Sequence, residues 1–95
     1  MYTANSILNT ITFDSGQYTI PFTINITSNE SPIFSVDITL LRDQGDLGLA
    51  SMATELVETF VPLWNENFND NIEALTISIT NNLGVLNTRI EDEIN

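Results

Sequence analysis

A chain of 95 residues with 13 acidic and 2 basic side chains carries a formal net charge of −11 at pH 7, and it contains no cysteine and no histidine. Two cations cannot displace counterions from a phosphate backbone or settle on an anionic bilayer, so nucleic-acid and membrane partners are excluded. Lysine is missing as well, so the usual general base, thiol nucleophile and Schiff-base amine are all unavailable, and no enzyme is expected.

Without cysteine the chain forms no disulfide and no thiolate metal site. Its N-terminus lacks the basic and apolar stretches of a secretory signal, and no apolar run approaches the roughly 20 residues that span a bilayer. A soluble single domain over residues 1–95 is expected. At this length its net stability is about 5–8 kcal/mol, a margin that assembly with other chains would widen.

Strand signals come first. Residues 7–13 pair Ile7, Ile11 and Phe13 loosely against Leu8, Thr10 and Thr12. Residues 18–27 alternate without a break, with Tyr18, Ile20, Phe22, Ile24 and Ile26 on one face and Thr19, Pro21, Thr23, Asn25 and Thr27 on the other. Residues 33–41 repeat the pattern, setting Phe34, Val36, Ile38 and Leu40 against Ser35, Asp37 and Thr39. Turn chemistry at residues 14–17 and 28–32 joins these runs, so residues 1–43 read as a three-stranded antiparallel meander with one apolar face. Pro21 has no ladder donor and calls for an edge position or a bulge.

The apolar face needs a cover. Asp46 ends a turn and is placed to cap a helix in which Leu49, Ala53, Leu56, Phe60 and Leu63 recur at helical spacing. This covering helix is expected over residues 46–61, with Pro62 ending or kinking it. A polar loop at residues 65–71 follows, and Asp70 with Glu73 forms a capping box for a helical segment over residues 70–94. Ile72, Leu75, Ile79, Leu83, Leu86, Ile90 and Ile94 step by three and four along its seam, with Gly84 a candidate break. Residues 75–80 also alternate and are β-branched, so a fourth strand at 74–80 is the alternative. The fold class is α+β under either reading.

Few constellations could carry chemistry. A paired-carboxylate hydrolase needs a sugar-lined cleft that so short a chain can hardly build. Asn65, Asn67 and Asn69 alternate as calcium ligands do, but the required aspartate, glycine and final glutamate are missing, so no metal and no cofactor are expected. Trp64, Phe68 and Phe60 form an aromatic cluster that serves either as core or as an interface anchor. Glu91, Asp92 and Glu93 stand where a helix end prefers cations, and they suit a solvated terminus or a basic partner. Leu83, Leu86, Ile90 and Ile94 form a second apolar row, expected to remain free for an oligomeric bundle.

Abundant Asn, Thr, Ser and Ile with no Lys, together with the segment Leu83-Gly84-Val85-Leu86-Asn87-Thr88-Arg89-Ile90, resembles small virion proteins and fibre-attachment segments of tailed bacteriophages. The resemblance covers mainly residues 71–95 and rests on composition. It implies a decoration, connector or fibre-base protein of the virion whose partners are other protein chains, either further copies or other virion subunits. The alternative is an acidic inhibitor in the host cytoplasm that imitates phosphate charge and occupies a nucleic-acid-binding protein.

Overall fold

The unbroken alternation of residues 18–27 becomes the spine of the molecule. In the computed structural model, which describes residues 2–68 and 73–94, the elements are β1 (Tyr2–Leu8), β2 (Thr12–Asp14), β3 (Gln17–Ser28), β4 (Ser31–Asp43), α1 (Leu49–Asn67) and α2 (Glu73–Ile94). The architecture is α+β: one antiparallel sheet with both helices on one face. β3 is central, with β4 along one side and β1 and β2 sharing the other. Ile20, Phe22, Ile24 and Ile26 all turn to the helices and are fully buried.

The strand expected over residues 7–13 is two strands, and Pro21 is the reason. Leu8 pairs with Phe22 and Thr12 with Thr19, so Asn9, Thr10 and Ile11 stand opposite only Ile20 and Pro21. The Pro21 carbonyl accepts from the Asn9 amide at 2.9 Å, but Pro21 has no N–H to return. The ladder breaks there into a bulge with one extra residue, while the pairing of Pro21 with Thr39 continues on the other side. The sheet therefore has four strands. The additional one comes from this split and not from residues 74–80, which are helical.

Both hairpins close in two residues with positive φ, Ser15 (52°) and Gly16 (78°) in one, Asn29 (50°) and Glu30 (70°) in the other. This geometry matches the right-handed twist of the flanking strands. Ser31 and Pro32 are part of β4 and not of the turn, and a register shift at Ile26/Thr27 admits them.

α1 differs from its expected limits at both ends. Its N-cap is Gly48 (φ 59°), because Asp46 is held in the preceding turn by its amide bond to the Asp43 carbonyl at 3.1 Å. A Cβ on Gly48 would stand 3.2 Å from Ser51 Oγ and 3.3 Å from Arg42 Nε. At the other end the helix runs through Pro62 to Asn67, so Asn65 to Asn67 are helical and not loop. Pro62 is exposed, which leaves the carbonyl it cannot serve on the solvent side. Packing holds the turn beyond it, since Met52, Leu56, Phe60 and Trp64 form the buried stripe, with Ala53 and Leu63 at its margins.

α2 settles residues 75–80 by burial: Leu75 and Ile79 are enclosed, whereas Ile77 is 57% exposed. A strand would have put all three on one face. The helix passes Gly84 without a break. Asp70 and Ile72, and with them the capping box and loop residues 69–71, lie outside the described residues, as does the side chain of Leu49. α1 climbs over β4 from Arg42, which pairs with Glu55, to Tyr2 and Phe34, which meet Trp64; α2 returns over β1.

α2 also closes the β1 edge. Ser78 Oγ donates to the Ala4 carbonyl at 3.0 Å, and Asn82 Oδ1 accepts from the Ser6 amide at 3.1 Å. Asn82 Nδ2 in turn donates to the Ser78 carbonyl at 2.7 Å, which orients the amide for this task. Asn82→Ala leaves the Ser6 amide without its acceptor, and the expected loss is about 1–2 kcal/mol with faster hydrogen exchange at Ser6. Glu30→Gly gives the turn its preferred Asn-Gly pair and is expected to stabilise the fold by about 0.5–1 kcal/mol, read as a rise of a few degrees in Tm. A lower Tm would show that Glu30 makes a compensating contact.

Candidate interaction surface

The side chains expected to meet other molecules divide into enclosed and exposed sets. Trp64 is fully buried, edge-on to Tyr2 and Phe34 with ring centroids at 5.4 and 5.7 Å, and stacked on Phe60 and Phe68 at 6.0 and 4.3 Å. Offset and T-shaped contacts of this kind add to the area the rings remove from water. Phe68 is half-buried at the end of α1, its amide donating to the Trp64 carbonyl at 2.8 Å. The cluster is core, and Trp64 offers no surface to a partner.

The second apolar row is likewise used within the chain. Leu83 and Ile90 are fully enclosed, and Leu86 and Ile94 pack against the same core while half-buried. The expectation that this row stays free is therefore corrected. Three strands span about 14 Å, whereas one packed helix covers only about 8–10 Å, so α1 cannot shield the sheet alone. α2 supplies the second half of the cover.

Glu91, Asp92 and Glu93 are exposed on the last turn of α2. Arg89 reaches Glu93 at 3.5 Å, an exposed i,i+4 pair of little energetic weight. Among the described residues no cluster of acidic side chains is arranged to hold a metal ion. Two shallow grooves flank α2. One of about 410 Å³ lies against β1 and is lined by Asn5, Ser6, Asn81, Asn82, Val85 and Leu86. The other, about 210 Å³, lies between the helices and holds a single carboxylate, Glu58. Neither presents two carboxylates to one substrate.

What the fold leaves outside is the other face of the sheet. Thr3, Asn5 and Ile7 of β1 stand in register with Thr27, Asn25 and Thr23 of β3, and Thr23, Pro21 and Thr19 in turn with Asp37, Thr39 and Leu41 of β4. Asp37 is the one charge in the interior of this face; Asp14 and Asp43 stand on its last row, beside Gln17. Two large apolar side chains break the polar surface, Ile7 at 39% and Leu41 at 51% exposure.

The polar groups of the face are already ordered. Asn9 Nδ2 donates to Thr23 Oγ1 at 2.8 Å, Thr23 Oγ1 donates to Asp37 Oδ1 at 2.8 Å, and Ser35 Oγ donates to Asn25 Oδ1 at 2.8 Å. Thr and Pro side chains have little rotamer freedom to lose, so a partner would meet a rigid surface at low entropic cost. Alternation in the sequence marks these residues as the solvent side of strands. Their role as a continuous, nearly uncharged patch required the register.

No protein family, characterised protein or solved structure matches the chain.

Because Trp64 is core, Trp64→Ala should cost about 3–5 kcal/mol, most of the stability of a domain this size. Urea unfolding followed by far-UV circular dichroism measures it. A variant that kept its midpoint would return Trp64 to the list of surface anchors.

Proposed function

We propose that this chain is a non-catalytic structural protein of a tailed-bacteriophage virion, acting through contacts that its helix-free sheet face makes with other protein chains. The observation that carries the reading is where the charge lies. In a chain with 13 acidic side chains, the interior of that face holds only Asp37 among the described residues, and its carboxylate is engaged by Thr23. Depletion of charge with retained hydrogen-bonding groups and scattered apolar side chains is the composition of an interface centre. The virion assignment rests on the resemblance carried by residues 83–90 and by the overall composition.

A second reading, an acidic inhibitor of a nucleic-acid-binding protein, draws on the exposed Glu91, Asp92 and Glu93 at the end of α2. Its signature would be competition with DNA for a cationic protein, weakened steeply by salt.

The leading reading is tested by size-exclusion chromatography with light scattering, on the chain alone and mixed with purified capsids or tails. Wild-type chain is expected to form a larger species in at least one arm. A variant with Thr3→Lys and Thr39→Lys should lose that association by about tenfold or more while its stability changes by no more than about 0.5 kcal/mol. A rigid monomer that ignores every virion preparation would sink the proposal.

A further inference from the structure

The two long edges of the sheet are finished differently. Along β1, Ser78 and Asn82 of α2 occupy the outward carbonyl of Ala4 and the outward amide of Ser6, so no other strand can pair there. Because Ala4 and Ser6 point their backbone groups away from β3, their register partners Ile26 and Ile24 point theirs toward β4. Phe34 and Val36 return those bonds, and beyond the register shift the odd-numbered residues from Ser35 onward face outward. Near the end of β4 the outward groups are partly used, since Arg42 Nη1 donates to the Leu41 carbonyl at 2.8 Å and the Asp46 amide to the Asp43 carbonyl at 3.1 Å. Between these and the irregularity at Ile33, the register turns the amides and carbonyls of Ser35, Asp37 and Thr39 outward, away from β3, where no described strand pairs with them. An open ladder of about 14 Å results.

We infer that this stretch of β4 docks one extended segment of a different protein chain, which joins the sheet as a further strand. The inference rests on the assembly reading above and names the contact through which it would work. The flanks of the ladder specify the segment. On the helix-free side Asp37 stands at its middle and Asp43 beyond its end, so basic side chains are matched there; on the helix side half-buried Phe34 and Val36 form the rim of the core, so apolar side chains are matched. The required segment alternates basic and apolar residues. A second copy fits poorly, because antiparallel pairing of β4 with β4 about its middle sets Asp37 near its equivalent and brings together two chains of charge −11.

The test follows backbone amides of the full chain by NMR hydrogen exchange, with a short synthetic peptide of alternating lysine and valine as probe. A peptide of the same composition, with its lysines and valines in separate blocks, controls for charge. The alternating peptide is expected to slow exchange at Ser35, Asp37 and Thr39 by about tenfold or more, and the block peptide is not. Ser35→Pro removes one outward amide without breaking the backbone ladder to β3; measured against Ser35→Ala, which gives up only the Asn25 contact, it should weaken peptide binding about tenfold at the same Tm. No slowing at these amides with millimolar peptide overturns the inference, as does equal slowing by the block peptide. Concentration-dependent slowing without peptide overturns it in favour of a second copy. If Ser35→Pro still joins the virion preparation while the Thr3→Lys, Thr39→Lys variant does not, the face reading stands and the edge inference falls.

Discussion

The width of one apolar surface governs this molecule. β3 turns Ile20, Phe22, Ile24 and Ile26 to one side, and its neighbours extend that surface with Ala4, Leu8, Ile38 and Leu40. Such a surface exceeds what a single helix shields, so the chain must return with a second one. From that requirement follow the enclosure of Leu83 and Ile90, the antiparallel course of α1 and α2, and the burial of Trp64 where α1 reaches Tyr2 and Phe34. Most of the large apolar side chains are spent on this task. What the fold leaves at the surface is therefore mainly backbone and polar groups.

Pro21 shapes the rest of the sheet through a missing hydrogen-bond donor. A proline in a central strand is tolerated because its donor-free side faces the point where the edge strand breaks into β1 and β2. Breaking that strand creates a bulge on one edge, and α2 guards the part that remains regular through Ser78 and Asn82. The opposite edge has no such helix-borne guard among the described residues. A small α+β domain thus carries one edge closed by side chains and one left open along much of its length, an asymmetry that gives the surface a direction.

Charge follows the same division. Among the described residues the acidic side chains occupy turns, strand ends, exposed helix flanks and the end of α2, while the interior of the helix-free face keeps only Asp37, bonded to Thr23. Long-range repulsion between copies is retained by this arrangement, and the helix-free face is left nearly neutral and ordered by hydrogen bonds. Arg42 is the exception among the charges. Its side chain is only 11% exposed, folded over Gly48 and paired with Glu55, so one of the two cations serves to lock α1 onto β4.

Much of this was legible residue by residue. Period-two alternation in residues 18–27 and 33–41 identified the sheet and its buried face, because side-chain direction along a strand depends on parity alone. The seam from Leu75 to Ile94 pointed to α2 while residues 74–80 stayed open to a strand reading, and the absence of histidine, cysteine and lysine narrowed the chemistry to be expected. Whether that seam was free or covered was not legible. The answer depends on the width of a sheet assembled from segments distant in the chain, which no local period records. The same holds for Trp64, for the pairing of Ser78 and Asn82 with β1, and for the near-neutrality of the outer face, since each arises only when register brings separate strands and helices side by side. Local physics chose the elements and their inward sides; long-range packing chose which of those sides remained available to anything else.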